Sequence, residues 1–281
     1  MISEAAMDQI LVSCLMITQP APERLARARQ SLGAYLAQTH PRKELVVVIE
    51  PKGLDGDGDG AVLVDHIADL RRPDIRVVTG LGAAALGALR NRSLDYAAGD
   101  IVCQWDDDDL CHPDRLRRQL ALLLAGDFEA VYLQEVMQFF PASRAIYWTN
   151  WRATEAMAHP GTLMMRGGMP VRYVEAGAAA SLGEDLDLAR RLQARGHVGY
   201  LAGQAPLFIY VSHGANSWSQ DHHRMLISEL AISKGLLTRR EPEIRRGLAA
   251  FDFGVDDVSV RGSNGEAFRI ARGSAPTSLT S

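Results

Sequence analysis

The sequence predicts an α/β fold, a mixed and mostly parallel sheet flanked by helices, and three observations carry that expectation. The runs Ile10 to Ile17, Glu44 to Glu50 and Ile101 to Trp105 are short and almost wholly apolar, as strands buried on both faces are. Segments with apolar residues at helical spacing separate them. The two kinds alternate along the first half of the chain, and such β-α-β units build a three-layer sheet with right-handed crossovers.

The first strand ends at Thr18, and Pro20 and Pro22 mark the turn into a helix with Leu25, Ala28, Leu32 and Leu36 on one face up to Gln38. The second strand ends in a carboxylate, Glu50. Asp55 to Gly60 (DGDGDG) imitates the start of a calcium loop, but His66 stands where a bidentate Glu is required, so a flexible acidic turn is expected. A helix through Leu70, a strand Ile75 to Thr79 and a helix Gly82 to Ala98 follow, with Gly99 expected as its C′ residue. After the strand Ile101 to Trp105, Pro113 opens a helix with Leu116, Leu120 and Leu123 on one face. Beyond Gly126, Ala130 to Gln138, Ala145 to Trp148 and Gly161 to Met165 read as strands that add antiparallel pairing. Glu184 to Arg195 is a helix closed by Gly196, Tyr200 to Val211 is extended, and Asp221 to Lys234 is a helix.

Thirty basic against 34 acidic residues give a net charge of −4, with no basic stripe interleaved with aromatics, so no nucleic-acid surface is expected. The longest apolar stretches fall well short of the roughly 20 residues of a membrane helix. MISEAAMDQI has no signal-peptide pattern, and three cysteines are few and odd in number. A reduced, cytoplasmic setting is expected, with Cys14 and Cys103 as small core residues.

Asp106 to Asp109 form the strongest local signal. An apolar strand delivers four carboxylates to its carboxyl end, where open α/β sheets bind ligands. Their mutual repulsion is relieved by a hard divalent cation, Mg²⁺ or Mn²⁺, which also holds a diphosphate; without one they would be a solvated helix-capping turn. Gly183-Glu184-Asp185 starts a helix, where one carboxylate suffices as a cap and a second is available as a general base. His213, in a loop with Asn216 and Trp218, is either a structural residue or a further metal ligand. His222 and His223 are expected at the surface. Trp148 and Trp151 suit either the core or a sugar-stacking role.

These residues together resemble family 2 glycosyltransferases over about residues 10 to 220. VSCLMITQPAPERL (Val12 to Leu25) is similar to that family's opening strand and helix, Leu89-Arg90-Asn91 to its A-R-N helix, Gly99 to Leu116 to the segment with the DxD motif, and Gly183 to Leu192 to its ED helix. The resemblance implies a GT-A type, Rossmann-like fold in residues 1–220, divided into a nucleotide half (about 8–125) and an acceptor half (about 126–220). A helical extension (221–263) and a disordered tail (264–281) would follow. It implies metal-dependent, inverting transfer from a nucleotide-sugar, with UDP as the expected base, to a glycan, lipid-linked or small-molecule acceptor. A lipid-linked acceptor would be met peripherally at the inner face of the membrane.

By the same resemblance Asp106 and Asp108 are the DxD positions, Asp108 being the more direct ligand of Mn²⁺ or Mg²⁺ with His213 added. Asp107 is the intervening residue, on the nucleotide side with Asp106. Asp185 is the base and Glu184 its orienting partner. Thr18, Glu50 and Arg90 line the nucleotide pocket. Ile17 and Pro20 depart from the family's usual Pro and Asn, as does Ile49-Glu50 from its acidic pair. Two other readings compete: a catalytically silent sugar- or nucleotide-binding module of this fold, and a sugar-nucleotide nucleotidyltransferase. The latter needs a Gly-rich basic loop, which Thr18 to Ala21 is not.

Overall fold

The structure is a computed structural model that describes residues 3–19, 21–49, 59–79 and 84–271; Pro22, Glu23 and residues 59–61 are described by their backbone alone. A one-turn helix α1 (Glu4–Met7) precedes β1 (Val12–Thr18), α2 (Pro22–Leu36), β2 (Lys43–Ile49), α3 (Asp59–Asp69), β3 (Ile75–Val78), α4 (Leu86–Tyr96) and β4 (Ile101–Gln104). Every residue of β1 is buried, and its side chains divide by the two-residue period of a strand. Val12, Cys14 and Met16 join Ala28, Leu32 and Tyr35 of α2 in one core. Leu15 and Ile17 join Leu89 of α4 in another on the opposite face.

The chain continues through β5 (Leu110–Cys111), α5 (Arg115–Ala125), β6 (Ala130–Leu133), β7 (Glu135–Phe140), β8 (Ala145–Asn150) and β9 (Met164–Arg166). It ends with α6 (Glu184–Arg195), β10 (Val198–Leu201), β11 (Phe208–Val211), α7 (Gln220–Leu230), α8 (Lys234–Arg239), α9 (Glu241–Leu248), β12 (Val258–Gly262) and β13 (Gly265–Ile270). A seven-stranded sheet has the order β10-β6-β9-β4-β1-β2-β3. In it β1 runs parallel to β2 and β4, and β9 runs antiparallel to β4 and β6. From β1 the chain winds outward through β2 and β3, then returns to place β4 on the other side of β1. The carboxyl ends of β1 and β4 therefore flank the point where strand order reverses, the crevice that open α/β sheets use for ligands.

The second sheet, β13-β12-β8-β7-β11-β5, packs its own core against α8 and α9. It corrects four sequence expectations. Ala130 to Gln138 is two strands, β6 and β7, which belong to different sheets, and Tyr200 to Val211 divides likewise into β10 and β11. The segment expected to be only helical contains β12, which pairs in parallel with β8. Residues 265–270, expected to be disordered, form β13 in a hairpin with β12, where Gly265 takes φ +124°.

Two smaller corrections concern glycines and the acidic turn. Gly99 does not cap α4, which ends at Tyr96. A Cβ at Gly99 would lie 2.6 Å from Ser13 Oγ and 2.7 Å from the Leu11 carbonyl, so close packing on β1 explains the glycine. Asp59 and Gly60, expected in the turn, begin α3, while Asp55 and Asp57 lie outside the described residues.

Candidate active site

The end of β4 is held by groups that leave its carboxylates facing the crevice. Trp105 is fully buried, donating from Nε1 to Ser31 Oγ at 2.9 Å and meeting Tyr35 edge-on. Ser31 Oγ donates to the Asp106 carbonyl at 2.8 Å. Arg115, itself fully buried, donates from Nη2 to the Gln104 carbonyl at 3.0 Å and lies over the rings of Trp105 and Phe208. With the backbone fixed, the four aspartates go four ways. Asp106 accepts from Arg90 Nη2 at 3.0 Å and Gln104 Nε2 at 3.1 Å. Asp107 accepts from Thr18 Oγ1 at 2.6 Å and from the Arg24 guanidinium. Asp108 pairs with His213 Nε2 at 3.1 Å and faces Arg24 at 3.3 Å. Asp109 accepts from the Val211 amide at 2.9 Å and so ties the turn to β11.

Arg90 joins this cluster to the second pair of carboxylates. From α4 its Nη2 reaches Asp106 and its Nε donates to Glu184 Oε1 at 2.9 Å, both inside a largely buried site. Its guanidinium also lies 5.7 Å from the Tyr173 ring centroid, and the Tyr173 hydroxyl donates to Gln104 Oε1. Asn91, next on the helix, clamps the Tyr173 backbone in both directions, donating at 2.9 Å and accepting at 2.8 Å. The A-R-N-like segment thus positions the loop before α6 as well as the cluster.

Gly183, at φ +92°, turns the chain into α6, so that Glu184 and Asp185 occupy its first turn at the crevice wall. Glu184 is spoken for by Arg90. Asp185 accepts the Leu186 amide at 2.7 Å, and among the described residues no guanidinium or ammonium hydrogen-bonds to it. Burial and the neighbouring charge of Glu184 push its carboxyl up to about 6. Asp107 is likewise pushed up to about 6 by burial and the charge of Asp108, against the pull of Arg24 and Thr18. Burial pushes Asp108 up as well, but the His213 hydrogen bond and Arg24 outweigh it and hold this carboxyl below the ordinary value.

The crevice is a cleft of about 590 Å³, within the range of small-molecule sites. Thr18, Arg90, Asp106 to Asp108 and Glu184-Asp185 line it, and the far wall carries His159, Tyr210 and Trp218. His213 is seated by Asn216, whose Oδ1 accepts the His213 amide at 2.6 Å. Trp218 is partly exposed and stacks on His222 with ring centroids 4.4 Å apart.

The structure brings Thr18, Arg90, Asp106, Asp107, Asp108, Glu184, Asp185 and His213 into one site; Glu50 lies outside the described residues. Asp108 and His213 converge, whereas the Asp106 oxygens are taken by Arg90 and Gln104. Among the described residues no three acidic, histidine or cysteine side chains cage an ion on their own. That suits a cation held by one or two protein ligands and completed by substrate phosphates, the usual arrangement for Mg²⁺, and a carboxylate with an imidazole also suits Mn²⁺. The residues fit the group.

His223 corrects the sequence expectation: it is buried, with Nε2 2.9 Å from the Tyr210 hydroxyl, because α7 turns that face onto β11. Trp148 is fully buried core, away from the cleft, while Trp151 is at the cleft edge-on to His159. The sequence reading missed Arg24, Gln104 and Tyr173. Arg24 follows the helix-starting Pro22 by two positions, which places it in the first turn above the end of β1; that was the available signal.

Residues 13–178, more than half of the chain, match the model of the family described as glycosyl transferase family 2; the match ends just before Gly183 to Asp185. The Escherichia coli UDP-Glc:alpha-D-GlcNAc-diphosphoundecaprenol beta-1,3-glucosyltransferase WfgD is 27% identical over 126 residues, 45% of this chain and 46% of that protein. The match thus spans about half the length of this curated relative. S. aureus TarS 1-349 in complex with UDP superposes with a TM-score of 0.57 at 13% identity, covering 86% of this chain and 80% of that one. The same protein in complex with UDP-GlcNAc gives 0.57 at 14% identity, covering 86% and 68%. At such identities the likeness is one of fold, and it is to GT-A-like glycosyltransferase structures. With its model matched over residues 13–178, the chain belongs to glycosyl transferase family 2.

Proposed function

We propose that this protein transfers a sugar from a UDP-sugar to an acceptor hydroxyl with inversion, in a metal-dependent reaction with Asp185 as general base. The carrying observation is the single ion-paired line Asp106–Arg90–Glu184, which leaves Asp185 beside it without a cation and with its carboxyl near pH 6. A carboxylate so placed accepts a proton near neutral pH. Asp185 takes the acceptor hydroxyl proton, the oxygen bonds to the anomeric carbon, and the bond to the diphosphate oxygen breaks with its electron pair leaving on UDP. Arg90 would supply fixed positive charge beside the leaving group, and Thr18 and Asp107, which line the same cleft, would face the nucleotide. Asp108 and His213 would hold Mn²⁺ or Mg²⁺, which when bound stabilises charge on the diphosphate.

The donor class is supported by the UDP and UDP-GlcNAc complexes of TarS and by the UDP-Glc named for WfgD. A lipid-diphosphate-linked sugar is the acceptor we favour, because the acceptor of WfgD is one. No helix among the described residues is long and apolar enough to cross a membrane. In this proposal such an acceptor is met peripherally, at the inner membrane face. Calorimetric titration of UDP with Mn²⁺ and with EDTA, into wild type and Asp108→Asn, tests the reading. Binding that needs Mn²⁺ and is lost in the variant supports it; absence of UDP binding under every condition overturns the donor assignment.

A further inference from the structure

Arg24 lies in the opening strand-helix segment but carries no role in the reading above, yet its guanidinium closes the end of β4. Nε donates to Asp107 Oδ2 at 3.1 Å, and Nη2 bonds Asp107 Oδ1 while standing 3.3 Å from Asp108 Oδ2. The same Asp108 Oδ2 is 3.1 Å from His213 Nε2. One carboxylate oxygen therefore faces both the imidazole and the guanidinium. A divalent cation taken up by Asp108 and His213 would draw on the same carboxylate that Arg24 faces, at a contact of about 2.1 Å for Mg²⁺. An ion of charge +2 there and a guanidinium hydrogen-bonded to the same carboxylates repel each other.

The two arginines of the site differ in how they respond to such repulsion. Arg90 is anchored by two carboxylates and an aromatic face, with its side chain 9% exposed. Among the described residues Arg24 is held by Asp107 and Asp108; it sits in the first turn of α2 and is 18% exposed on the open cleft. Arg24 is therefore the more exposed and Arg90 the more constrained of the two. The adjacent buried carboxylates Asp107 and Asp108 also need a counter-charge whenever the cation is absent.

We infer that Arg24 is a resident competitor for the divalent cation: it neutralises Asp107 and Asp108 in the cation-free protein, yields Asp108 when the ion binds, and thereby sets the ion affinity of the site. The inference rests on the reading of Asp108 and His213 as cation ligands. A residue of this kind keeps the acidic turn folded before loading and weakens loading in proportion.

The test is calorimetric titration of Mn²⁺ alone, without nucleotide, into the full chain as wild type, Arg24→Gln, Arg24→Ala and Asp108→Asn, with melting temperatures in EDTA and in saturating Mn²⁺. Removing the competing charge should tighten Mn²⁺ by about tenfold, the effect of one opposite charge at contact. It should also lower the melting temperature in EDTA by an amount that shrinks once Mn²⁺ is bound. Detectable binding in the Arg24 variants alone is the strongest form of the same result. Equal or weaker binding in both Arg24 variants, with wild type still binding through Asp108, overturns the competitor role and leaves the cation reading standing. No binding by any of the proteins overturns both. Arg24→Gln removes the charge while keeping a polar side chain with amide donors, so the comparison survives if Arg24→Ala folds poorly.

Discussion

The two carboxylate clusters of the cleft are built on opposite principles. At the end of β4, every aspartate has a designated partner: Arg90, Arg24 with Thr18, His213, or a backbone amide. At the start of α6, Glu184 takes the one cation and Asp185 is left with an amide of its own turn. Both clusters are acidic and lie at an element terminus on the crevice wall. In the first each carboxylate has a hydrogen-bond donor, although burial and the charge of Asp108 still push Asp107 up to about 6, and such a cluster suits a place where charged ligands are exchanged. The second holds one carboxyl near pH 6 by desolvation and like charge, which suits proton transfer.

Breaking the asymmetry at Asp185 should have the largest effect. Asp185→Asn is expected to lower kcat by about 10²- to 10⁴-fold, with UDP affinity and melting temperature near wild type, since it removes a proton acceptor and no ion pair. Retained turnover would place the base elsewhere. The same carboxyl sets the pH profile: below about pH 6 it is protonated and idle, so kcat/KM of the wild type should fall about tenfold per unit there and level off above.

Among the described residues Arg90 is the side chain that ion-pairs with both clusters, and Arg90→Ala sharpens the comparison. It leaves Glu184 buried without its cation and Asp106 with only Gln104, so stability should drop by about 3 kcal/mol in urea unfolding, with activity lost as well. A loss under about 1 kcal/mol would mean that the clusters are not joined through this residue.

The smallest expected effect comes from the far wall. His159 is packed among Trp151, Phe208 and Tyr210, and burial, with Arg115 nearby, lowers its imidazole to about 3. The unfolded chain protonates this histidine below about pH 6.5 and the folded one does not, so its contribution to stability is intact above pH 6.5 and is lost as pH falls from there toward 3. Relative to wild type, His159→Gln should flatten the decline by about 2 kcal/mol between pH 7.5 and pH 5, read from paired urea titrations. Parallel curves would show that His159 is not held neutral by its surroundings.

The parts legible in the sequence were those set by local pattern. An unbroken apolar run ending in Asp106 to Asp109, and two carboxylates after Gly183, required no knowledge of distant residues. The β12-β13 hairpin was missed although its turn, Ser263-Asn264-Gly265, carries the Asn-Gly signal of a hairpin. The polar, half-exposed face of β13 hid it. His223 was misread for the opposite reason, because one helical face is buried by a strand that lies far from it in sequence.

By itself the sequence determined the strand and helix alternation of the first half, the acidic turn and the ED pair, because periodicity and residue type act within a few positions. Tertiary structure alone decided that Ala130 to Gln138 serves two sheets, that Arg90 reaches Glu184 across 94 positions while also holding Asp106, and that Arg24 reaches Asp107 across 83. Which carboxylate meets a cation, and so which one is free to take a proton, depends on burial and on partners brought from remote parts of the chain, and a linear pattern holds neither.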